Sequence, residues 1–506
     1  MTIARLALPL LIATLGGCVS MAPETQMPQS VAELPDTYTD DGGKTGEYRP
    51  EAWWRGFEDE TLNALVNEAL NDNLDIAEAS ARLDKANAQA GVARAALLPS
   101  TTASAGASYS DSPLSGSPFG GLAGGQGRLE NESYSLSLGA AYEIDLFGRA
   151  RADLMARRAD ALSAKYDFRS VQLAAAAEAI TTYFEIVDTR RQIELAIVTT
   201  DILADRVSRT DERYRRGLVQ SFELYQVRQE LRTIQASLPQ RESALDTAEG
   251  RLAVILRDYP QGLRSRIDKP LRPRLVFKPV PPGLPASLLT QRPDVAAAWQ
   301  RLEAARLTIG ARRAERFPAL RLDGSIGTQG DTPSSAFDTA DNWALSLASG
   351  IVAPIFDGGR ISANIAIARA TYDERAAAYT RAVLNAYREV ASAEKDYEEQ
   401  RQRYRLILAQ LGDAEASHDL QARRFRAGVG TYIAYLDAMR AVYQVQSSLS
   451  TASRDVALAR LGVHRALGGD WTASEKFAPV GMIPEETVLR NKTDGSTTTN
   501  QQGDAQ

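Results

Sequence analysis

The residues able to carry chemistry are few in this 506-residue chain, and they lie far apart. Its two histidines, His418 and His464, fall in separate stretches of helical pattern. A zinc site needs three or four clustered ligands, so this distribution argues against a metal centre. No nucleophile elbow, phosphate-binding loop or paired metal motif occurs. Carboxylates are plentiful, but they recur with arginines at three- and four-residue spacing, the pattern of solvated helix faces. The chain therefore reads as no enzyme, with no catalytic group and no cofactor. Its net charge is −6 and its basic residues are spread rather than clustered, which leaves no footprint for nucleic acid.

The one remaining reactive group is Cys18, the single cysteine, and a lone cysteine excludes a disulfide scaffold. Its surroundings are informative. Arg5 precedes an apolar run from Leu6 to Leu15, broken only by Pro9 and Thr14, which ends in Leu15-Gly16-Gly17-Cys18. Such a run is too short to span a bilayer and suits the core of a signal peptide. Small residues directly before a cysteine resemble the bacterial lipobox. Residues 1–17 are then a lipoprotein signal peptide, and Cys18 is the acylated first mature residue. Each buried acyl CH₂ contributes about 0.8 kcal/mol of anchoring. Val19 follows where aspartate would mark inner-membrane retention, so the resemblance to bacterial sorting rules favours the outer membrane. No later stretch is apolar enough for a transmembrane helix. Any span must therefore use β-strands, whose backbone groups pair with one another.

The elements that would position these residues occur twice. Helical pattern runs from about Glu58 to Leu97 and stops at Pro99; a second stretch runs from about Pro285 to Arg316 and stops at Pro318. Each leads into two short alternating segments, about 101–110 and 133–143 in the first half and about 319–328 and 342–353 in the second. Each pair ends in a Gly-Arg turn, Gly148-Arg149 and Gly359-Arg360. Long helices follow, over about 150–216 and about 359–427. Gly217 lies 68 residues after Arg149, and Gly428 lies 68 residues after Arg360. Equal spacing over such a length indicates tandem duplication of one helix–hairpin–helix–helix unit. At 1.5 Å per residue each long helix is on the order of 100 Å. In the first, Leu173, Ile180 and Val187 recur every seven residues with Ala177 and Phe184 between them. The expected organisation is an acylated extended segment 18–57, repeats over 58–257 and 285–470, a linker 258–284 between them, and a terminal segment 471–506, disordered from about 491.

The helices alone also fit a coiled-coil rod. The strands shift the balance toward a membrane protein. Tyr134, Leu136, Leu138 and Ala140 alternate with small or polar residues, as do Trp343, Leu345 and Leu347. Segments of about ten residues can cross an outer membrane when tilted. The Gly/Ser/Pro-rich segment 111–132, and similarly 329–341, read as flexible hairpin loops. Four strands cannot close a membrane barrel, and open edges are not viable in lipid. Strands from several copies must combine, and the arithmetic allows two, three or four.

This order of elements resembles the outer membrane factors of bacterial tripartite efflux pumps, the TolC and OprM type, and among them the NodT-like lipoproteins. The resemblance covers roughly Trp53 to Trp471, and its most specific stretch is Arg424-Phe425-Arg426-Ala427-Gly428-Val429-Gly430-Thr431-Tyr432-Ile433-Ala434-Tyr435-Leu436-Asp437-Ala438-Met439-Arg440. It implies a mixed, mainly α fold in which three protomers form a 12-stranded outer-membrane β-barrel on a long α-helical periplasmic tunnel. The linker would join a belt around the middle. Implied partners are two further copies in a homotrimer, a periplasmic adaptor protein, an inner-membrane pump and outer-membrane lipid.

The resemblance also implies site residues. Asp437 takes the family's acidic gate position at the periplasmic end, Arg426 matches a residue that pairs near it, and Ile433 matches an apolar ring one turn away. Some members carry a second acid where this chain has Ala434, so a single carboxylate ring is expected. The tip turns Gly217-Leu218-Val219 and Gly428-Val429-Gly430 are the expected adaptor-docking surface. The implied function is a passive conduit exporting small molecules such as drugs and toxic compounds. Export of polypeptides or metal, or a structural envelope lipoprotein without a pore, are the competing readings.

Overall fold

The computed structural model describes residues 21–25, 53–113, 128–266, 280, 292–338 and 341–469. The signal peptide, Cys18, loop residues 114–127, most of the 258–284 linker and the 471–506 segment lie outside the described residues. A 3-10 turn, Trp53–Phe57, leads into α1 (Glu60–Asp72) and α2 (Leu74–Ala95). Next come β1 (Ser100–Pro113), β2 (Arg128–Ile144), α3 (Arg149–Arg215), α4 (Ser221–Ile255) and the short α5 (Pro260–Arg266). The second half supplies α6 (Pro293–Ala314), β3 (Ala319–Gly330), the one-turn α7 (Pro333–Ala336), β4 (Trp343–Val352), α8 (Arg360–Arg426) and α9 (Tyr432–Ala466). The duplication is visible in lengths: α3 and α8 each have 67 residues, and α4 and α9 each have 35. None of the described helices is long and apolar enough to cross a membrane.

Contacts divide the chain into two units, the first comprising residues 1–27, 84–162 and 299–378. It holds one antiparallel sheet in the order β1-β2-β3-β4, so β1 and β4 are edges. Along β2 and β3, Leu138 pairs with Ile326 and Tyr142 with Leu322, which keeps the apolar alternation of both strands on one face. The strands of the first hairpin reach further than their apolar alternation predicts. Asp111 pairs with Glu130 and Pro113 with Arg128, and Arg128 Nε donates to Asp111 Oδ1 at 2.8 Å. Cross-strand backbone bonds and this ion pair extend the ladder into sequence that reads as loop. The second loop is also ordered. Thr332 and Ser335 form a reciprocal capping box on α7.

In the same unit, residues 21–25 lie along α6. Arg313 Nη1 donates to the Met21 carbonyl at 3.2 Å, and Arg306 Nη1 donates to the Pro23 carbonyl at 2.6 Å. Thr25 Oγ1 donates to Glu303 Oε1 at 3.1 Å. A side chain on Gly310 would meet the Ala22 backbone nitrogen at 2.7 Å, so this glycine makes the notch that admits the segment.

The second unit comprises residues 28–83, 163–298 and 379–506. Its larger core joins Leu62, Leu65 and Val66 of α1 to Ile180, Tyr183 and Phe184 of α3 and to Leu252 of α4. The heptad stripe faces this core: Leu173, Ala177, Ile180 and Phe184 are buried in it and Val187 packs at its margin. Each fully buried side chain of this size contributes about 1.5–3 kcal/mol. The stretch from Glu58 that reads as one helix breaks at Asn73. That buried side chain accepts from Asp75 N–H at 2.9 Å and donates to the Ile255 carbonyl at 3.1 Å, so it caps α2 and ties it to α4. His464 of α9 is buried against Trp53, with ring centroids 5.1 Å apart. Burial, followed by the nearby Arg460 charge, pushes its pKa down to about 3.

Candidate gate and helix-tip turns

Each long helix ends in the same hydrogen-bonded turn. Gly217 N–H donates to the Tyr214 carbonyl at 2.8 Å and Leu218 N–H to the Arg213 carbonyl at 2.9 Å. In the second half, Gly428 N–H donates to Phe425 at 3.1 Å and Val429 N–H to Arg424 at 3.0 Å. Both are Schellman caps with glycine in the left-handed region, φ 72° at Gly217 and 76° at Gly428. Open space surrounds both glycines, so backbone conformation rather than room selects them. Gly430 differs: a side chain there would meet Arg424 Cβ at 2.9 Å. The turns present Leu218 and Val429, which are 64% and 71% exposed, and Val219 is half-buried. Thr431 then caps α9 by accepting from Ala434 N–H at 3.2 Å, whereas Gln220 gives α4 no side-chain cap.

The two tip hairpins share a core within the second unit. Leu203 of α3, Val227 and Ile234 of α4, and Tyr432, Tyr435 and Leu436 of α9 are buried together, with Phe425 packed against them. Phe425 lies 5.4 Å from the Tyr432 ring and 5.8 Å from the Tyr435 ring. Arg206 sits 4.7 Å over the Tyr435 ring and donates to its hydroxyl at 2.8 Å. Burial pushes the Tyr432 phenol up to about 12.

Asp437 and Ile433 stand on the first turns of α9, four residues apart and both exposed. Arg440 Nη1 donates to Asp437 Oδ1 at 3.3 Å, and Arg440 Nη2 lies 2.6 Å from Glu230 Oε2 on α4. Glu230 is the more enclosed carboxylate, its side chain 15% exposed against 61% for Asp437. Arg440 thus bridges a half-buried acid to an exposed one. Arg426 is exposed, and its Nε donates to the Ala422 carbonyl of its own helix at 3.2 Å. The fold therefore gathers Asp437 and Ile433 on one face, and the arginine beside Asp437 within the chain is Arg440. The three-residue spacing from Asp437 to Arg440 is a readable signal. Glu230 is 210 residues from Arg440 and gives none. Among the described residues, no group of three or more His, Cys, Asp or Glu side chains could hold a metal ion.

The comparisons with known proteins agree with this architecture. The profile of the family described as Outer membrane efflux protein matches residues 65–256 and 284–469, one stretch for each repeat. The chain is 30% identical over 430 residues to the pyoverdine export outer membrane protein OpmQ of Pseudomonas putida, covering 83% of this chain and 88% of OpmQ. It is 30% identical over 486 residues to the toluene efflux pump outer membrane protein TtgI of Pseudomonas putida, covering 91% and 97%. Among solved structures, the outer-membrane channel OprN superposes with a TM-score of 0.78 at 27% identity, covering 89% of this chain and 99% of that one. With its duplicated helices, four-stranded sheet and paired tip turns, the chain belongs to the outer membrane efflux protein family.

Proposed function

We propose that this protein is the outer-membrane conduit of a tripartite efflux system. Three copies assemble, receive cargo from a periplasmic adaptor protein and an inner-membrane pump, and pass it outward without a catalytic step. The observation that carries this reading is the sheet: four strands whose two edges have no partner among the described residues, in a family of outer-membrane efflux proteins. The cargo class is small organic molecules. OpmQ and TtgI are named for pyoverdine and toluene at the same 30% identity to this chain, which supports a passage that does not itself select one compound. Acylation at Cys18 anchors each copy in outer-membrane lipid.

In this reading Asp437 forms a single carboxylate ring at the periplasmic constriction, Ile433 an apolar ring beside it, and Arg426 a cationic partner supplied toward a neighbouring copy. Leu218, Val219, Val429 and their flanking Gly217, Gly428 and Gly430 meet the adaptor. Purified protein in planar lipid bilayers tests the conduit. Discrete conductance steps with cation preference are expected, and Asp437→Ala should reduce that preference. A flat baseline from the parent protein would remove the reading. Adaptor capture tests the tips separately: Gly428→Asp should abolish it, and undiminished capture would exclude docking there.

A further inference from the structure

Strand pairing sorts the side chains of the sheet onto two faces. Leu138 pairs with Ala103 and Ile326, and Ile326 pairs with Leu345, so these four share the apolar face. The opposite face is small and polar. On it Ser104 Oγ lies 3.1 Å from Ser137 Oγ, and Ser325 Oγ lies 2.9 Å from Ser346 Oγ. Gln329 Nε2 donates to Ser133 Oγ at 3.1 Å. Along the four strands this polar face carries charge only at Glu143, Arg321 and Asp323 among the described residues. All three stand at the helix end of the sheet: Glu143 pairs with Arg321, and Asp323 with Ala141 one step further along the face.

The signs in this band balance. Arg149, the first residue of α3, donates from Nη2 to Glu143 Oε1 at 2.8 Å, and Arg321 Nε lies 3.8 Å from Glu143 Oε2. Glu143 is 28% exposed and Arg321 62% exposed at the side chain. Asp323 is exposed and has no ion-pair partner among the described residues. Two guanidinium groups thus face two carboxylates. We propose that Glu143, Arg321 and Asp323 form a charge-balanced collar at the inner mouth of the barrel, in which Arg321 and Asp323 set the charge preference of that part of the passage. In the conduit reading, on which this rests, the apolar face meets lipid and the polar face lines the passage. The barrel then has its own charge determinant, separate from Asp437. While the collar stays balanced, anionic, cationic and neutral organic molecules pass it alike.

The placement of the other charges on the strands sharpens this assignment. Asp111, Glu130 and Arg128, at the hairpin end, fall in register with the apolar face and so point away from the passage. Beyond Asp323 the polar face offers hydroxyls, amides and small side chains, which leave width and no fixed charge. A fixed charge in a narrow passage with low-dielectric walls concentrates counter-ions there. Its reach is about 10 Å at 0.1 M salt and about 3 Å at 1 M. An unbalanced collar therefore biases ion passage at low salt and loses that bias at high salt.

Reversal potentials of the full-length protein in planar bilayers test the collar. Arg321→Gln should raise the cation-to-anion permeability ratio and Asp323→Asn should lower it, each about twofold or more near 0.1 M salt, with both shifts shrinking toward 1 M. The double variant should return toward the parent ratio. Arg321→Lys keeps the charge and should match the parent, as should Glu130→Gln on the other face. Unmoved ratios in both single variants of a conducting protein overturn the collar and leave the conduit standing. A shift in Arg321→Lys as large as that in Arg321→Gln, or a shift in Glu130→Gln as large as that in Asp323→Asn, also overturns it. A parent protein that does not conduct removes the conduit, and the collar with it.

Discussion

Arg440 sets how much of the Asp437 charge is free at the tip of α9. Its guanidinium is shared with Glu230, the more enclosed carboxylate, so Asp437 is only partly neutralised. The exposed Arg440–Asp437 pair contributes about 0–1 kcal/mol, but Arg440→Ala also leaves the enclosed Glu230 unpaired. Arg440→Ala should therefore lower stability measurably and raise cation preference in bilayer recordings, opposite in sign to Asp437→Ala. Equal, unchanged selectivity in both variants would place the gate elsewhere. A second residue-scale prediction concerns His464. Its pKa lies near 3 in the fold against 6.5 in an unconstrained histidine. Between those values the unfolded chain binds the extra proton, so stability falls as pH drops from about 6.5 toward 3. Melting measured across that range should be less acid-sensitive in His464→Phe, and an identical slope would exclude His464 as a source. The tip motif made Asp437 a candidate in the sequence, and its gate role stands as a proposal. The sequence could not disclose Glu230 beside Arg440, or the stacking of His464 on Trp53, because those contacts join residues hundreds of positions apart.

The elements owe their ends to a few residues. Gly428 holds φ 76° at the α8 cap, and an alanine there adopts the left-handed conformation at a cost of about 1 kcal/mol. Thr431→Ala removes the α9 cap bond and should cost a similar ~1 kcal/mol. Denaturation of each variant checks both, and a stability change within error would remove the caps as determinants. On α6, Gly310→Leu should displace residues 21–25, making that segment newly sensitive to limited proteolysis while the helices stay protected. Unchanged protection would show the notch to be dispensable. Periodicity made the long helices and the alternating strands legible because they repeat one rule over many residues. It missed the break at Asn73, where a single buried amide takes over the backbone bonds, and it missed α7, whose capping box sits in a polar segment that reads as loop.

At the scale of the molecule, the fold class and family were legible because the duplication restates each element twice and the tip motif is specific. In the sheet order, β1-β2-β3-β4, neither edge strand has a further partner among the described residues, which is the ground for proposing that several copies combine. Backbone groups at those edges need partners in a membrane, and β-barrels large enough to close begin at about eight strands. Three copies supply twelve. The most direct measurement is native mass spectrometry of the intact protein gently extracted from outer membranes. The account predicts a dominant species of three chains, each carrying acyl mass on an N-terminus beginning at Cys18. A dominant single chain, under conditions where the same extract shows conductance in bilayers, would contradict it.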